Sequence, residues 1–209
     1  MTFTSLGLSP NLCLAAERAG WTQPTPIQEQ GIPLILQGQD VLATAATGSG
    51  KTAAYGLGLL QFLQASEALQ TPHSTRRSTR ILVIVPTREL AVQVGQVFKE
   101  LASHALRVAT IFGGVSINPQ MLALRGGADI VVATPGRLLD LVDHNALHLD
   151  NVAHLVLDEV DRLLDLGFTE ELNRVLALLP SKRQNLWFSA TFDHSLQPLA
   201  ASMLRQPVR

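Results

Sequence analysis

Six apolar runs punctuate the chain: DVLATAA (40–46), RILVIVPT (80–87), RVATIFG (107–113), DIVVATP (129–135), HLVLDEV (154–160) and NLWFSAT (185–191). Most are continuously apolar rather than alternating, the pattern of strands covered on both faces. Between them lie segments with apolar residues at three-and-four spacing, TRELAVQVGQVFKELASHA (87–105) and TEELNRVLALLP (169–180), which predict helices. Strands alternating with helices predict an α/β fold, a doubly wound, mainly parallel sheet with helices on both faces. LQTPHSTRRSTR (69–80) is polar, with Pro and Ser, and reads as a surface loop. No repeat, low-complexity tract or linker interrupts the chain, so one domain is expected over 1–209, with residues 1–38 leading into a core of 39–209. In such folds ligands sit at the carboxyl ends of the strands.

Composition narrows the function. With 46% hydrophobic residues in 209, the chain can fill a sizeable core, and overall disorder is excluded. A formal net charge of −1, from 16 basic and 17 acidic residues, excludes holding nucleic acid by bulk charge but leaves room for a local basic groove. The lone Cys13 excludes an internal disulfide or a Cys-rich zinc site and suits a reducing cytosol, so a cytoplasmic protein is expected. The opening MTFTSLGLSPN lacks a signal-peptide pattern. No apolar run approaches the ~18 residues of a membrane span. Oligomeric state is not legible.

The stretch HLVLDEVDRLLDLGF (154–168) ends an apolar run in three carboxylates within four positions, Asp158, Glu159 and Asp161. Charges so crowded repel, and something positive should sit among them. A partner is at hand in ATGSGKT (46–52), which follows another strand and opens a helix. It is the phosphate-loop pattern G-x-x-x-x-G-K-[ST] with Ala45 in place of the first glycine. Gly48 and Gly50 let the backbone of Ala46, Thr47, Gly48, Ser49 and Gly50 curl, so that N–H groups point inward at the positive end of a helix dipole. Lys51 would reach the β- and γ-phosphates, and the Thr52 hydroxyl would ligate Mg²⁺. Asp158 would hold the same Mg²⁺, partly through water. Glu159 is placed to orient or deprotonate an attacking water. The competing readings are a glycine-rich turn with an exposed lysine, and acids that merely cap the helix DRLLDLG. Each loses weight beside the other motif. The residues thus predict a nucleotide-hydrolysing core whose catalytic groups are Lys51, Asp158 and Glu159.

Seven stretches in fixed order, covering nearly the whole chain, resemble the DEAD-box ATP-dependent RNA helicases: GWTQPTPIQ (20–28), ATGSGKT (46–52), PTREL (86–90), GG (113–114), TPGR (134–137), DEVD (158–161) and SAT (189–191). FGGVSINPQM and LRGGADIVVATPGRLLDL are similar to the bacterial RhlE-type members. The resemblance implies an N-terminal RecA-like P-loop NTPase domain that takes ATP, Mg²⁺ and RNA. It implies that Gln28 reads adenine, its carbonyl accepting from the amino group and its NH₂ donating to N7. Guanine would be mismatched by roughly 1–3 kcal/mol. Phe3 and Trp21 hold the family's aromatic positions near the base, although Trp21 also reads as core, and Thr25 is expected to brace the phosphate loop. Pro86, Thr87, Arg88, Gly113, Gly114, Thr134, Pro135, Gly136 and Arg137 are implied to hold the RNA backbone through phosphates and 2′-hydroxyls. TPGRLLDL reads equally as a helix start, with Thr134 as N-cap and Pro135 in the first turn. Aromatic residues at 5% are too few for a base-stacking platform, so readout of shape rather than sequence is expected. Ser189, Ala190 and Thr191 are implied to tie Asp161 to the sheet and couple ATP state to RNA binding.

Two departures matter. Val160 stands where the family has alanine, and overpacking there could cost roughly 1–3 kcal/mol. Only 18 residues follow SAT, whereas the family uses a second RecA-like domain whose arginines reach the ATP, an absence that can cost ~10³–10⁵ in rate. These residues alone are therefore expected to bind nucleotide weakly and barely hydrolyse it. A non-hydrolysing ATP-responsive RNA clamp stays open, disfavoured by Glu159. So does a DNA-directed helicase, opposed by Gln28 and Asp161. His144 and His148 lack a third ligand for zinc, Asn145 suggests a helix break, and Arg125-Gly126-Gly127 reads as a helix end. TRRSTR (75–80) reads as a solvated loop.

Overall fold

The computed structural model describes residues 1–67, 77–191 and 196–208. Each apolar run contains a strand: β1 Val41–Thr44, β2 Ile81–Ile84, β3 Val108–Ile111, β4 Ile130–Ala133, β5 His154–Asp158 and β6 Gln184–Ser189. They form one sheet in the order β1-β6-β5-β2-β4-β3, with every neighbouring pair parallel. The register is continuous across the centre, with Val83 opposite both Val132 and Val156. The helices among the described residues are α1 Pro10–Arg18, α2 Pro26–Leu36, α3 Lys51–Glu67, α4 Arg88–Leu101, α5 Asn118–Ala123, α6 Pro135–Asp143, α7 Val160–Asp165, α8 Thr169–Leu178 and α9 Gln197–Met203. Of the polar stretch 69–80, residues 69–76 lie outside the described residues. None of the helices is long and apolar enough to cross a membrane.

Successive strand side chains point to opposite faces. Val41, Val83, Val132, Val156 and Phe188 join a core covered by α1 to α4. Leu42, Leu82, Val131, Leu157 and Trp187 join a second core covered mainly by α6 to α9. That double burial is why the runs are unbroken rather than alternating. The spacing in α4 is read correctly as a helix: Ala91, Val94, Phe98 and Leu101 are all buried. Gly95 between them lets α4 lie directly on β3, since a Cβ there would collide with the Thr110 side chain.

Two buried acids lock the amino edge of the sheet. Asp40 accepts from Asn185 N at 2.7 Å and Arg205 N at 2.8 Å, binding β1 to β6 and to the segment after α9. Asp129 accepts from Arg77, Arg80 and the Arg107 amide. These contacts fix strand starts, and the carboxyl edge carries the chemistry.

Candidate functional site

Because all six strands are parallel, every motif falls on one edge, and the strand order sorts them. The phosphate loop, SAT and DEVD follow β1, β6 and β5, on one half of the sheet. PTREL, TPGR and the Gly113-Gly114 pair follow β2, β4 and β3, on the other half.

On the first half the chain curls between β1 and α3 through Gly48 at φ +81° and Gly50 at φ +93°. These are left-handed conformations that cost other residues about 1–2 kcal/mol. The segment 20–28 grips this turn. Thr25 Oγ1 donates to Ser49 O at 2.8 Å, and Gln28 Nε2 donates to Gly50 O at 3.1 Å. Gln28 Oε1 accepts from Thr25 N at 2.9 Å. A Cβ on Gly50 would overlap the Gln28 amide. Gln28 is thus buried and half committed, with one N–H and one carbonyl lone pair remaining. Phe3 is buried in the adjoining core, and Trp21 packs against that core partly exposed. Lys51, 7% exposed, lies across the loop with Nζ on Ala45 O at 3.0 Å. Ser49 Oγ is buried without a hydrogen-bond partner, an orphan that suits a phosphate oxygen.

Beside the loop, β5 delivers Asp158, 2% exposed. Its Oδ2 accepts from the Tyr55 hydroxyl at 2.8 Å and its Oδ1 from Glu159 N at 3.0 Å. Burial pushes its carboxyl above the usual range, partly offset by the Tyr55 bond and by the charge of Lys51. Glu159 turns from strand to α7 in a single residue, at φ 51° and ψ 54°. For a non-glycine residue that strain is about 1–3 kcal/mol. Its carboxylate pairs with Arg162 at 3.4 Å. Asp161 Oδ2 accepts from Ala190 N (3.1 Å), Thr191 N (2.9 Å) and Thr191 Oγ1 (3.0 Å), while Asp161 N donates to Ser189 Oγ. Val160 is fully buried in the core beneath.

On the other half, Pro86 is buried, and Thr87 caps α4 by accepting from Leu90 N at 3.3 Å. Arg88 lies exposed with its guanidinium 4.8 Å from the Phe112 ring centre. Gln120 clamps Phe112 from both sides, accepting from its N and donating to its O at 3.0 Å each. Gly114 follows at φ +77°. Thr134 stands at the N-cap of α6 with Pro135 in the first turn and Gly136 after it, and the Thr134 side chain makes no capping bond. Arg137 is turned inward: Nη2 donates to Val115 O at 2.7 Å, and Nη1 is buried without a partner. It therefore tethers the loop after the glycine pair. Outside this edge, α6 ends at Asp143, with Asn145 at φ +54°.

Tyr55, Phe112 and Gln120 escape sequence reasoning. Tyr55 had one signal, a phenol on the phosphate-loop helix three and four residues beyond Thr52 and Lys51. The other two act through residues they touch only in the folded chain.

The architecture is that of a RecA-like nucleotide-binding domain. Residues 25–199 match the DEAD/DEAH box helicase family, and the chain belongs to that family. It is 43% identical over 208 residues to the DEAD-box ATP-dependent RNA helicase CshA of Streptococcus pneumoniae, covering 99% of this chain and 38% of that protein. It is 45% identical over 210 residues to the ATP-dependent rRNA helicase rrp3 of Emericella nidulans, covering all of this chain and 43% of that protein. The crystal structure of a DEAD box protein from the hyperthermophile Methanococcus jannaschii superposes with a TM-score of 0.88 at 35% identity, over all of this chain and 55% of that one. The chain thus spans less than half the length of these curated relatives. Near-equal identity to bacterial and fungal proteins does not single out the RhlE-type subgroup.

Proposed function

We propose that this domain binds ATP with Mg²⁺ at the ends of β1, β6 and β5 and single-stranded RNA at the ends of β2, β4 and β3. Joined to a second RecA-like domain, it couples ATP hydrolysis to separation of RNA duplexes. The observation that carries this reading is the sorting of the motifs into two adjacent halves of one edge, with the Asp161 carboxylate bonded to the SAT segment within the nucleotide half.

The cradle suits a triphosphate: N–H groups at the start of α3, the orphaned Ser49 hydroxyl and Lys51 converge on the loop. Thr52 and Asp158 offer the hard oxygen donors that Mg²⁺ prefers. When held by them, Mg²⁺ would supply positive charge that offsets the charge of phosphoryl transfer. Glu159, held beyond Asp158 by its left-handed backbone, would orient the attacking water. The N–H and lone pair left on Gln28 complement N7 and the amino group of adenine, whereas guanine presents two acceptors. Thr87, Arg88, Gly113, Gly114 and Thr134 would meet sugars and phosphates, with Arg137 shaping the loop between them. RNA and ATP as substrates, with Cys13 unpaired, suit the cytoplasm.

The deciding experiment measures ADP binding and ATP turnover by this chain with and without single-stranded RNA, using Lys51→Ala as control. Expected are ADP binding lost in Lys51→Ala and negligible turnover, rising in the longer protein with RNA rather than DNA, and stopping in Glu159→Gln. Retained ADP affinity in Lys51→Ala would remove the phosphate-loop assignment. Brisk turnover by these 209 residues above that control would remove the need for a second domain.

A further inference from the structure

Helix α3 carries a polar group that phosphate binding leaves unused. Tyr55 is the chain's one tyrosine and is fully buried. It follows Thr52 by three residues and Lys51 by four, which makes it a neighbour of each on the helix surface. Its ring is wedged between Phe98 and Phe188, with centroids 6.1 and 5.1 Å away, which holds the hydroxyl in place. That hydroxyl has an unusual partner for a buried phenol, the Asp158 carboxylate at 2.8 Å. Direction follows from valence. A carboxylate only accepts, so the phenol hydrogen belongs to Asp158. Phenylalanine would fill the same space and supply none of this.

We infer that Tyr55 is a positioning residue for the metal–nucleotide site: its hydroxyl, held in place by the two phenylalanine rings, engages one Asp158 oxygen and fixes the orientation of that carboxylate at the end of β5. The inference rests on the proposed role of Asp158. Tyr55 itself touches neither phosphate nor metal. Outer partners that orient metal ligands are typically worth ~10–100-fold in metal affinity.

The test measures Mn²⁺ affinity of the ADP-bound chain by electron paramagnetic resonance, alongside ADP affinity in EDTA and thermal unfolding, for wild type, Tyr55→Phe and Asp158→Asn. Tyr55→Phe is expected to weaken Mn²⁺ by about tenfold while metal-free ADP affinity stays within about twofold. Unchanged Mn²⁺ affinity overturns the inference. So does an equal loss of metal-free ADP binding, which marks a merely structural tyrosine. If Asp158→Asn retains Mn²⁺, or wild type never binds it, the proposed metal site fails and takes this inference with it. Should Tyr55→Phe not fold, 3-fluorotyrosine labelling of the wild type gives a single fluorine resonance, because the chain has one tyrosine. That resonance should move when Mg²⁺ joins ADP, and a stationary resonance overturns the inference equally.

Discussion

Replacing Asp161 by asparagine should loosen the SAT segment without unfolding the domain. The carboxylate takes four donors on two oxygens: Ala190 N, Thr191 N and Thr191 Oγ1 on Oδ2, and Arg162 N on Oδ1. Asparagine turns one of those oxygens into an NH₂. Facing the SAT side, that NH₂ would oppose three donors. Facing the other way, it opposes only the Arg162 amide, so the second rotamer wins. Three charge-assisted bonds then become neutral, at a loss of about 0.5–1 kcal/mol each, and one exposed amide loses its partner to water. Asp161 is partly exposed, so screening trims the sum, and about 2 kcal/mol is expected. At 1.4 kcal/mol per decade, local opening becomes about 30-fold more frequent. Amide-resolved hydrogen exchange by NMR should show Ala190 and Thr191 exchanging faster by about that factor, while Val83 in the central strand is unaffected. Exchange at Ala190 and Thr191 within about threefold of wild type would show that Asp161 does not hold this segment, and its coupling role would fall.

The same carboxyl predicts a pH dependence. Burial alone would raise its pKa, but hydrogen bonds from Thr191 and the Arg162 backbone outweigh that and hold it below the ordinary 3.8. A depressed carboxyl stabilises the folded state above its unfolded pKa and loses that contribution as pH falls through the folded value. The stability gap between wild type and Asp161→Asn should therefore be constant from neutral pH to about pH 4 and close below it, and a gap persisting at lower pH would contradict the assignment. Gly50→Ala sets a Cβ against the Gln28 amide at φ +93°. Calorimetry should show ADP binding weakened by at least about tenfold and preference over GDP erased, whereas normal binding would mean the grip of Gln28 on the loop is incidental. Phe112→Leu removes the ring under Arg88 and should weaken RNA about two- to fivefold with the salt slope unchanged, because no charge is lost; a shallower slope would refute that account. Val160→Ala empties fully buried volume and should lower unfolding free energy by about 1–3 kcal/mol in denaturant titration, while a gain would reveal an overpacked valine.

The sequence by itself determined the six strands and the chemical class of the site. Strands buried on both faces must be apolar throughout, so runs such as ILVI and IVVA could hardly be anything else. The glycines, Lys51, Thr52 and the acids of DEVD are residue types that phosphate and metal chemistry demands at local spacing. Only the tertiary structure decided which motifs stand together. In the chain, DEVD follows TPGR and precedes SAT. In the sheet, β6 inserts between β1 and β5, and β2 separates β5 from β4, so nucleotide and RNA motifs part into two halves. The role of Tyr55 stays hidden in the chain because its partner Asp158 lies 103 residues away. Arg137, implied by the resemblance to hold the RNA backbone, gives a guanidinium N–H to Val115 O, a contact that no local spacing announces. Periodicity and spacing report what a residue does within a turn or a strand. Which distant hydrogen-bonding groups it must satisfy is set only when the crossovers choose the strand order and bury them together.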